Sequence, residues 1–272
     1  MSDTAAVTET NVRALRSKLD REEDLEILDW LAQVDHGPQH SDYLKRRQPG
    51  TGRWFLDSTK YQAWINASTR TLFCPGIPGA GKTILTAAVI EDVTARFQNE
   101  ESVGIAYIYC NFNRQTEQSI EALMSNLLKQ LSRSRSPLSE SVRNMYNRHV
   151  SKRTQPSLQE ITSALVSVVS LYSRVFVIVD ALDECQTSDC TSRLITELLS
   201  LQAAGGVNLF ATSRFIPQIT ERFTRNAVLE IRANDNDVQS YLEGRISQSA
   251  SKILRQHSEE IKAEITNAVD GM

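Results

Sequence analysis

The sequence contains no uninterrupted apolar run that approaches the roughly 20 residues of a membrane-spanning helix. Its opening residues lack the basic and apolar regions of a secretory signal, and Ser2 stands where N-myristoylation requires glycine. A large charge of one sign is also missing, because the net charge is −3. We therefore expect no membrane span and no basic surface for nucleic acid.

Cysteine is scarce as well, since the chain has four, and their spacing fits neither a CxxC pair nor a zinc site. Cys74 and Cys110 fall within apolar stretches, which predicts buried thiols. This usage favours a reducing environment, and we expect a cytoplasmic protein. A hydrophobic content of 40% and a charged content of 23% are typical of a chain that forms a globular core.

The most informative feature is the segment Gly-Ile-Pro-Gly-Ala-Gly-Lys-Thr at residues 76–83, which matches the P-loop pattern G-x-x-x-x-G-K-[ST]. An apolar strand pattern precedes it and a helical pattern follows it, as phosphate binding requires. Glycines let backbone N–H groups approach phosphate oxygens, and the start of the helix adds partial positive charge. A glycine-rich turn with an incidental lysine is the alternative. The predicted nucleotide-binding residues here are Gly76, Ile77, Pro78, Gly79, Ala80, Gly81, Lys82, Thr83 and Ile84.

Two side chains of this loop have separate predicted roles. Lys82 supplies a full positive charge for the β- and γ-phosphates. Thr83 offers a hydroxyl that can ligate Mg²⁺. The predicted ligands are therefore Mg²⁺ and a nucleoside triphosphate, either ATP or GTP.

Apolar runs alternate with helical patterns through most of the chain. This alternation predicts an α/β fold of the P-loop NTPase type, with three layers and a five-stranded, mainly parallel sheet. The predicted strands are 70–75, 103–110, 174–180, 206–212 and 227–231. The predicted helices between them are 83–98, 117–132, 157–172 and 190–203.

The chain divides into four expected regions. They are a disordered terminus at 1–20, a helical and linker segment at 21–69, the NTPase core at 70–232 and the start of a truncated helical domain at 233–272. Within the second region we expect a helix at 21–35 and a linker at 36–53. Residues 134–156 are interpreted as an exposed helix–loop insertion and not as a nucleic-acid site, because Tyr146 is their only aromatic residue.

A second motif follows the most apolar strand pattern, Val-Phe-Val-Ile-Val-Asp at 175–180. Asp180 is predicted to reach the carboxyl edge of the sheet and to hold Mg²⁺, usually through its water shell. Asp183 and Glu184 are candidates for polarising the attacking water. Taken alone, such acids are more often helix caps or solvated turn residues. Arg214, after the next strand, is expected near the γ-phosphate, although a surface arginine is the alternative.

These motifs together resemble the NACHT branch of the STAND signalling ATPases. A small residue, a hydrophobe and Asp-Glu after the aspartate at 180 are the distinguishing trait. The segment Pro-Gly-Thr-Gly-Arg-Trp-Phe-Leu at 49–56, with Trp64 and Cys-Pro-Gly-Ile-Pro-Gly at 74–79, is similar to nephrocystin-like N-terminal NACHT modules of fungal type.

The resemblance implies a role for each matching residue. Asp180 and Thr83 would hold the Mg²⁺, Asp183 and Glu184 would serve hydrolysis, and Arg214 would act as sensor 1. It also makes Thr51, Gly52 and Trp54 candidates for the adenine pocket, with a core anchor as an equal alternative for the tryptophan.

The implied function is a signalling switch that binds ATP and Mg²⁺, hydrolyses ATP slowly and self-associates through its core, with a signalling partner still to be identified. Family members continue into a winged-helix domain and sensor repeats, so the resemblance predicts that this chain is truncated before them. A non-catalytic nucleotide-binding or oligomerisation module is the main alternative. A small-molecule kinase is less favoured, because neither an arginine-rich lid nor an acceptor pocket is evident.

Overall fold

The structure, a computed structural model, describes Lys18 and residues 20–135, 137–185, 187–249 and 251–269. The expected disordered terminus at 1–20 therefore lies almost entirely outside the described residues. The division into four regions stays a prediction.

A five-stranded sheet lies at the centre of the fold, and every neighbouring pair of strands is parallel. The strands are β1 (Thr71–Pro75), β2 (Val103–Tyr109), β3 (Arg174–Asp180), β4 (Val207–Ser213) and β5 (Ala227–Val228), in the spatial order β2-β3-β4-β1-β5. The α/β P-loop NTPase fold is confirmed. The predicted strand 227–231 is shorter, although Ile231 N still donates to Pro75 O at 2.8 Å.

Helices cover both faces of the sheet. Before the second strand they are α1 (20–31), α2 (Gly37–Arg46), α3 (Arg53–Leu56), α4 (Thr59–Asn66) and α5 (Lys82–Phe97). Then follow α6 (Ile120–Arg133), α7 (Glu140–Val150), α8 (Leu158–Val169), α9 (Ser188–Ala204), α10 (Pro217–Thr220), α11 (Asp235–Gln248), α12 (Lys252–Gln256) and α13 (Ser258–Val269). Among the described residues, no helix is both long and apolar enough to cross a bilayer.

Successive side chains of each strand lie on opposite faces of the sheet, and this divides the core into two apolar clusters. In β3, Val177 and Val179 belong to the cluster that includes α6, α8 and α9, whereas Phe176 and Ile178 belong to the one that includes α4 and α5. Successive side chains of a strand point to opposite faces, so one continuous apolar run supplies both clusters. This arrangement leaves the carboxyl ends of the strands available for polar residues.

The expected linker at 36–53 is wrong in its first half, which forms the ten-residue helix α2. Its turn-forming sequence is compatible with a helix, because Pro38 lies in the first turn, where proline costs no hydrogen bond. His40 Nδ1 and the Tyr109 hydroxyl are 2.8 Å apart, which joins α2 to the end of β2. Tyr43 also packs on Tyr109, with ring centroids 5.0 Å apart.

The segment 134–156 forms a helix and a loop as expected, but the expectation that it is exposed is wrong for one face of the helix. Its helix α7 buries Val142 and Met145 completely. Arg143 forms an ion pair with Asp24, and the Tyr146 hydroxyl donates to Glu26, so α1 covers this helix. Composition misled the prediction, because a mostly polar segment still buries one apolar stripe when another helix packs on it.

Candidate functional site

The loop between β1 and α5 has a backbone that depends on glycine. Gly79 and Gly81 have φ values of 84° and 85°, in the left-handed region that disfavours residues with a Cβ atom. Helix α5 begins at Lys82, directly after Gly81. Its N-terminal N–H groups therefore lie at the exit of the loop and make a favourable place for an anion.

Gly76 is required for a different reason, which is close packing. A Cβ atom at Gly76 would lie 2.4 Å from the carbonyl oxygen of Ile231. Gly76 N also donates to Ser213 O at 3.0 Å. The first glycine of the loop is therefore the junction between β1, the end of β4 and the segment after β5.

We expect Gly76→Ala to lower the free energy of unfolding by about 1–3 kcal/mol, because the new methyl group overlaps a backbone carbonyl that cannot rotate away. Urea unfolding followed by circular dichroism measures the change. Gly205→Ala is the matched control, since its Cβ would meet only Val169 at 3.7 Å. Equal stability of the two variants would contradict the packing role.

Lys82 lies over this loop. Its Nζ donates to Gly76 O at 2.9 Å and to Ile77 O at 2.8 Å. Burial lowers the pKa of Lys82, while the nearby Asp183 and Asp180 carboxylates act in the opposite direction. The ammonium group is therefore held at the loop and close to the carboxylates of Asp180 and Asp183.

Asp180 is buried at the end of β3, with 1% exposure. Its Oδ2 accepts from the Thr83 hydroxyl at 2.7 Å, and its Oδ1 accepts from the hydroxyls of Thr86 at 2.8 Å and Thr212 at 2.7 Å. Burial raises the pKa of Asp180, and the three hydroxyl groups and Lys82 oppose the rise. These contacts hold the carboxylate rigidly beside the first turn of α5.

Neither Thr86 nor Thr212 was assigned a role from the sequence. A signal for Thr86 was present, because residues three apart on a helix lie on the same face, and Thr86 follows Thr83 by that spacing. No comparable local signal identifies Thr212, which reaches Asp180 only through the pairing of β3 with β4.

The oxygen atoms of Thr83 and Asp180 suit a hard cation such as Mg²⁺. Within the described part of the chain, no group of three or more His, Cys, Asp or Glu side chains could hold a metal ion. A magnesium ion bound here would therefore need water and phosphate oxygens as further ligands, which is the usual coordination of Mg²⁺ in nucleotide sites.

Asp183 and Arg214 form an ion pair at the edge of the loop. Arg214 Nε donates to Asp183 Oδ2 at 2.5 Å, and Arg214 N donates to Oδ1 at 2.9 Å. Burial works to raise the pKa of Asp183, but the hydrogen bonds from Arg214 outweigh it, and the pKa lies below its ordinary value. Asp183 is thus an ionised anchor that fixes the position of the arginine.

Glu184 is placed differently from Asp183. Its Oε2 accepts from Phe112 N at 3.2 Å, in the segment after β2. The turn that delivers both acids begins at Ala181, which has a φ of 54° and donates its N–H to the Thr212 hydroxyl at 2.8 Å. Because alanine carries a Cβ atom, this conformation costs roughly 1–2 kcal/mol, and the turn is held in a strained geometry by its surroundings.

These residues surround one cleft of about 590 Å³, which lies within the range of small-molecule sites. The predicted residues that line it are Pro78, Gly79, Gly81, Lys82, Thr83, Ile84, Asp183, Glu184 and Arg214. Ala181 and Phe112 also line it, although the sequence analysis named neither as a site residue. Phe112 is 66% exposed, and it belongs to no motif that could have identified it.

The three predicted adenine-pocket residues do not line this cleft, and two of them contact the start of α11. Gly52 N and Trp54 Nε1 donate to Asp237 Oδ2 at 2.8 and 3.1 Å. Thr51 is held by its own segment, because its carbonyl oxygen accepts from Arg47. Trp54 also packs edge-on against a buried phenylalanine, which agrees with an anchoring role.

Comparison with known proteins identifies a family and a curated relative. The profile of the family described as "Nephrocystin 3, N-terminal" matches residues 50–214, which is more than half of the chain. The vegetative incompatibility protein HET-E-1 of Podospora anserina is 25% identical over 213 residues, which cover 73% of this chain and 15% of that protein. The chain thus spans a small part of the length of this curated relative.

Solved structures with a similar fold include two archaeal proteins. Cdc6p of Pyrobaculum aerophilum has a TM-score of 0.47 and 16% identity, covering 78% of this chain and 53% of that chain. The ORC1 protein of Aeropyrum pernix, solved in complex with DNA, has a TM-score of 0.45 and 17% identity, covering 82% and 53%.

Proposed function

The chain belongs to the nephrocystin 3 N-terminal family and is a NACHT-like P-loop NTPase module; from this we propose that it binds ATP, in preference to GTP, together with Mg²⁺. We further propose that it hydrolyses the nucleotide slowly and acts as a STAND-type signalling switch. The observation that carries the proposal is the contact between Thr83 and the buried Asp180, with Thr83 and Lys82 both lining one cleft.

Phosphate binding would use three sources of positive potential. The backbone N–H groups of the loop and the start of α5 surround the same volume. Lys82 would exchange its bonds to Gly76 O and Ile77 O for bonds to β- and γ-phosphate oxygens.

Thr51, Gly52 and Trp54 are proposed to lie near the nucleotide base, since Gly52 approaches Leu85 of α5.

Mg²⁺, when bound, would neutralise charge on the phosphates. Thr83 would hold the ion through its hydroxyl group, and Asp180 would hold it through its water shell. Three hydroxyl groups already bond to the carboxylate of Asp180, which favours contact through water.

For hydrolysis, we assign different roles to the two acids. Glu184 lines the cleft and is proposed to orient and polarise the attacking water. Asp183 is proposed to be a positioning residue, because both of its oxygens are bonded to Arg214. Arg214 is 49% exposed in its side chain, so it could contact a γ-phosphate at the mouth of the cleft.

A nucleotide-binding module without turnover is the second candidate. The observation that favours it is the ion pair between Asp183 and Arg214. Both residues were predicted to act in hydrolysis, and here each one binds the other. Self-association through this face would agree with the exposure of Phe112 and Phe215, which are both large and apolar. A cytoplasmic location and an unidentified signalling partner complete the proposal.

Calorimetric titration of the chain with ATP and GTP, each with and without Mg²⁺, tests this function. We expect saturable binding of a triphosphate that tightens when Mg²⁺ is present, with ATP binding more tightly than GTP. Slow release of inorganic phosphate in the same samples would separate the switch from the module without turnover. Absence of binding for both triphosphates would contradict nucleotide binding altogether.

A further inference from the structure

Two cysteines lie close together behind the candidate site, and the proposed function uses neither of them. Cys110 directly follows β2, and Cys185 directly follows Glu184. Their sulfur atoms are 3.2 Å apart, and both residues are buried. We propose that Cys110 and Cys185 are a redox modification site, which a peroxide converts reversibly into a disulfide.

The pair joins the two chain segments that hold the carboxylate of Glu184. Cys110 N donates to Asp180 O at 3.1 Å, which ties the end of β2 to the end of β3. Two residues later, Phe112 N donates to Glu184 Oε2. A bond between Cys110 and Cys185 would therefore complete a short ring that runs through residues 110–112 and 184–185 and includes this hydrogen bond.

The geometry favours this pair of sulfurs over the third nearby thiol. Disulfide sulfurs lie about 2.05 Å apart, so a movement of about 1 Å brings Cys110 and Cys185 to bonding distance. Both residues lie just beyond a regular element, where the backbone can supply such a movement. Cys190, in contrast, lies in the first turn of α9, and its sulfur bonds to Gln118 O at 3.7 Å.

The reaction uses two thiols and one peroxide molecule. One thiolate attacks a peroxide oxygen, the O–O bond breaks, and a sulfenic acid forms with release of water. The second thiol then attacks that sulfur, the S–O bond breaks, and a second water leaves as the disulfide forms. Two cysteines are oxidised and one peroxide is reduced, and an added dithiol reverses the change by exchange.

The pair reacts slowly while it is buried. Both sulfur atoms lie in buried residues, so a peroxide in solution has no direct access to them. Oxidation therefore requires transient opening of the segment around residue 185. Phosphate and Mg²⁺ binding would stabilise that segment through Asp180, so we expect a bound nucleotide to slow the oxidation.

Oxidation has a consequence for hydrolysis, and this consequence rests on the proposed function. With the two segments joined, Glu184 would stay bonded to Phe112 N instead of turning toward an attacking water. Phosphate release would fall on oxidation and recover on reduction. Formation of the disulfide itself depends only on the placement of the two sulfurs.

The test treats the intact chain with hydrogen peroxide, removes the peroxide, alkylates the remaining thiols in denaturant so that buried cysteines react, and maps the peptides without reduction. We expect a Cys110–Cys185 cross-link, with two of the four cysteines protected from alkylation until dithiothreitol is added. Cys190→Ala is the matched control and should keep the cross-link, whereas Cys185→Ser should lose it. Mapping of the unmodified chain remains decisive even if a variant fails to fold.

Two results would overturn the modification site: four alkylated cysteines after peroxide, or a cross-link that contains Cys190 in place of Cys185. Phosphate release, measured before and after peroxide, tests the consequence separately. A cross-link that leaves phosphate release unchanged would overturn the regulatory role alone. Absence of phosphate release from the reduced chain would instead contradict hydrolysis and leave the cross-link as evidence for the modification site.

Discussion

Lys82→Ala should weaken ATP binding by about 2–4 kcal/mol, or roughly 30- to 1000-fold in dissociation constant. The substitution removes the one full positive charge that the loop presents to the β- and γ-phosphates. Lys82 also donates to Gly76 O and Ile77 O, but Lys82 itself lines the cleft, so water that enters the space of its side chain can replace the ammonium. The fold should therefore survive, and fluorescence titration with an ATP analogue measures the loss.

Lys45→Ala is the matched control for this experiment. Lys45 is an exposed lysine in the last turn of α2, so its removal changes the net charge of the protein equally. We expect its affinity for the analogue to equal that of the unmodified chain. If Lys82→Ala retains full affinity while its melting temperature is unchanged, the loop does not bind the triphosphate.

Glu184→Gln should lower the rate of phosphate release by about 100- to 10,000-fold, which is the usual contribution of a general base. Glutamine keeps the size of the side chain and can still accept a hydrogen bond from Phe112 N, but it cannot take a proton from water. Nucleotide affinity should stay within about twofold of the original value, because Glu184 is not proposed to contact the phosphates. A phosphate sensor and calorimetry measure the two quantities separately.

Comparison with Asp183→Asn distinguishes the roles of the two acids. Asp183 anchors Arg214 through both oxygens, so its replacement should disturb the arginine and alter nucleotide affinity as well as rate. Glu140→Gln, an exposed glutamate in the first turn of α7, is the neutral control. If Glu184→Gln hydrolyses ATP at the original rate, the water must be activated by another group, and our assignment is wrong.

The regular part of the fold could be predicted because its signals are local. Strand β3 and helix α5 occupy nearly the predicted ranges, since a buried strand is a short apolar run and an amphipathic helix repeats every 3.6 residues. Helix α2 could not be recognised in this way, because its mean composition is polar and it buries no residue completely. Its stability comes from side chains such as Tyr43, which pack on the sheet edge.

The residues of the candidate site also fall into two groups, those that a local sequence pattern indicates and those that only the fold brings to the site. The loop residues follow one another at 76–84, and Asp180 stands within four residues of Asp183 and Glu184, so spacing alone could indicate each of these two groups. Phe112 and Thr212 carry no such signal, because each reaches the site from another strand end. Asp237 lies 185 residues beyond Gly52, and no periodicity connects the two.

The amino-acid order alone determined three features, because each depends on neighbours within a few residues. They are the phosphate-binding loop, the succession of strands and helices, and the acids that follow the third strand. Folding in three dimensions decided the rest. It set the strand order that brings Thr83 to Asp180, the approach of Ile231 that requires Gly76, and the contact between Cys110 and Cys185. Such contacts join residues far apart in the chain, and only the packing of complete elements brings their atoms within hydrogen-bonding or van der Waals distance.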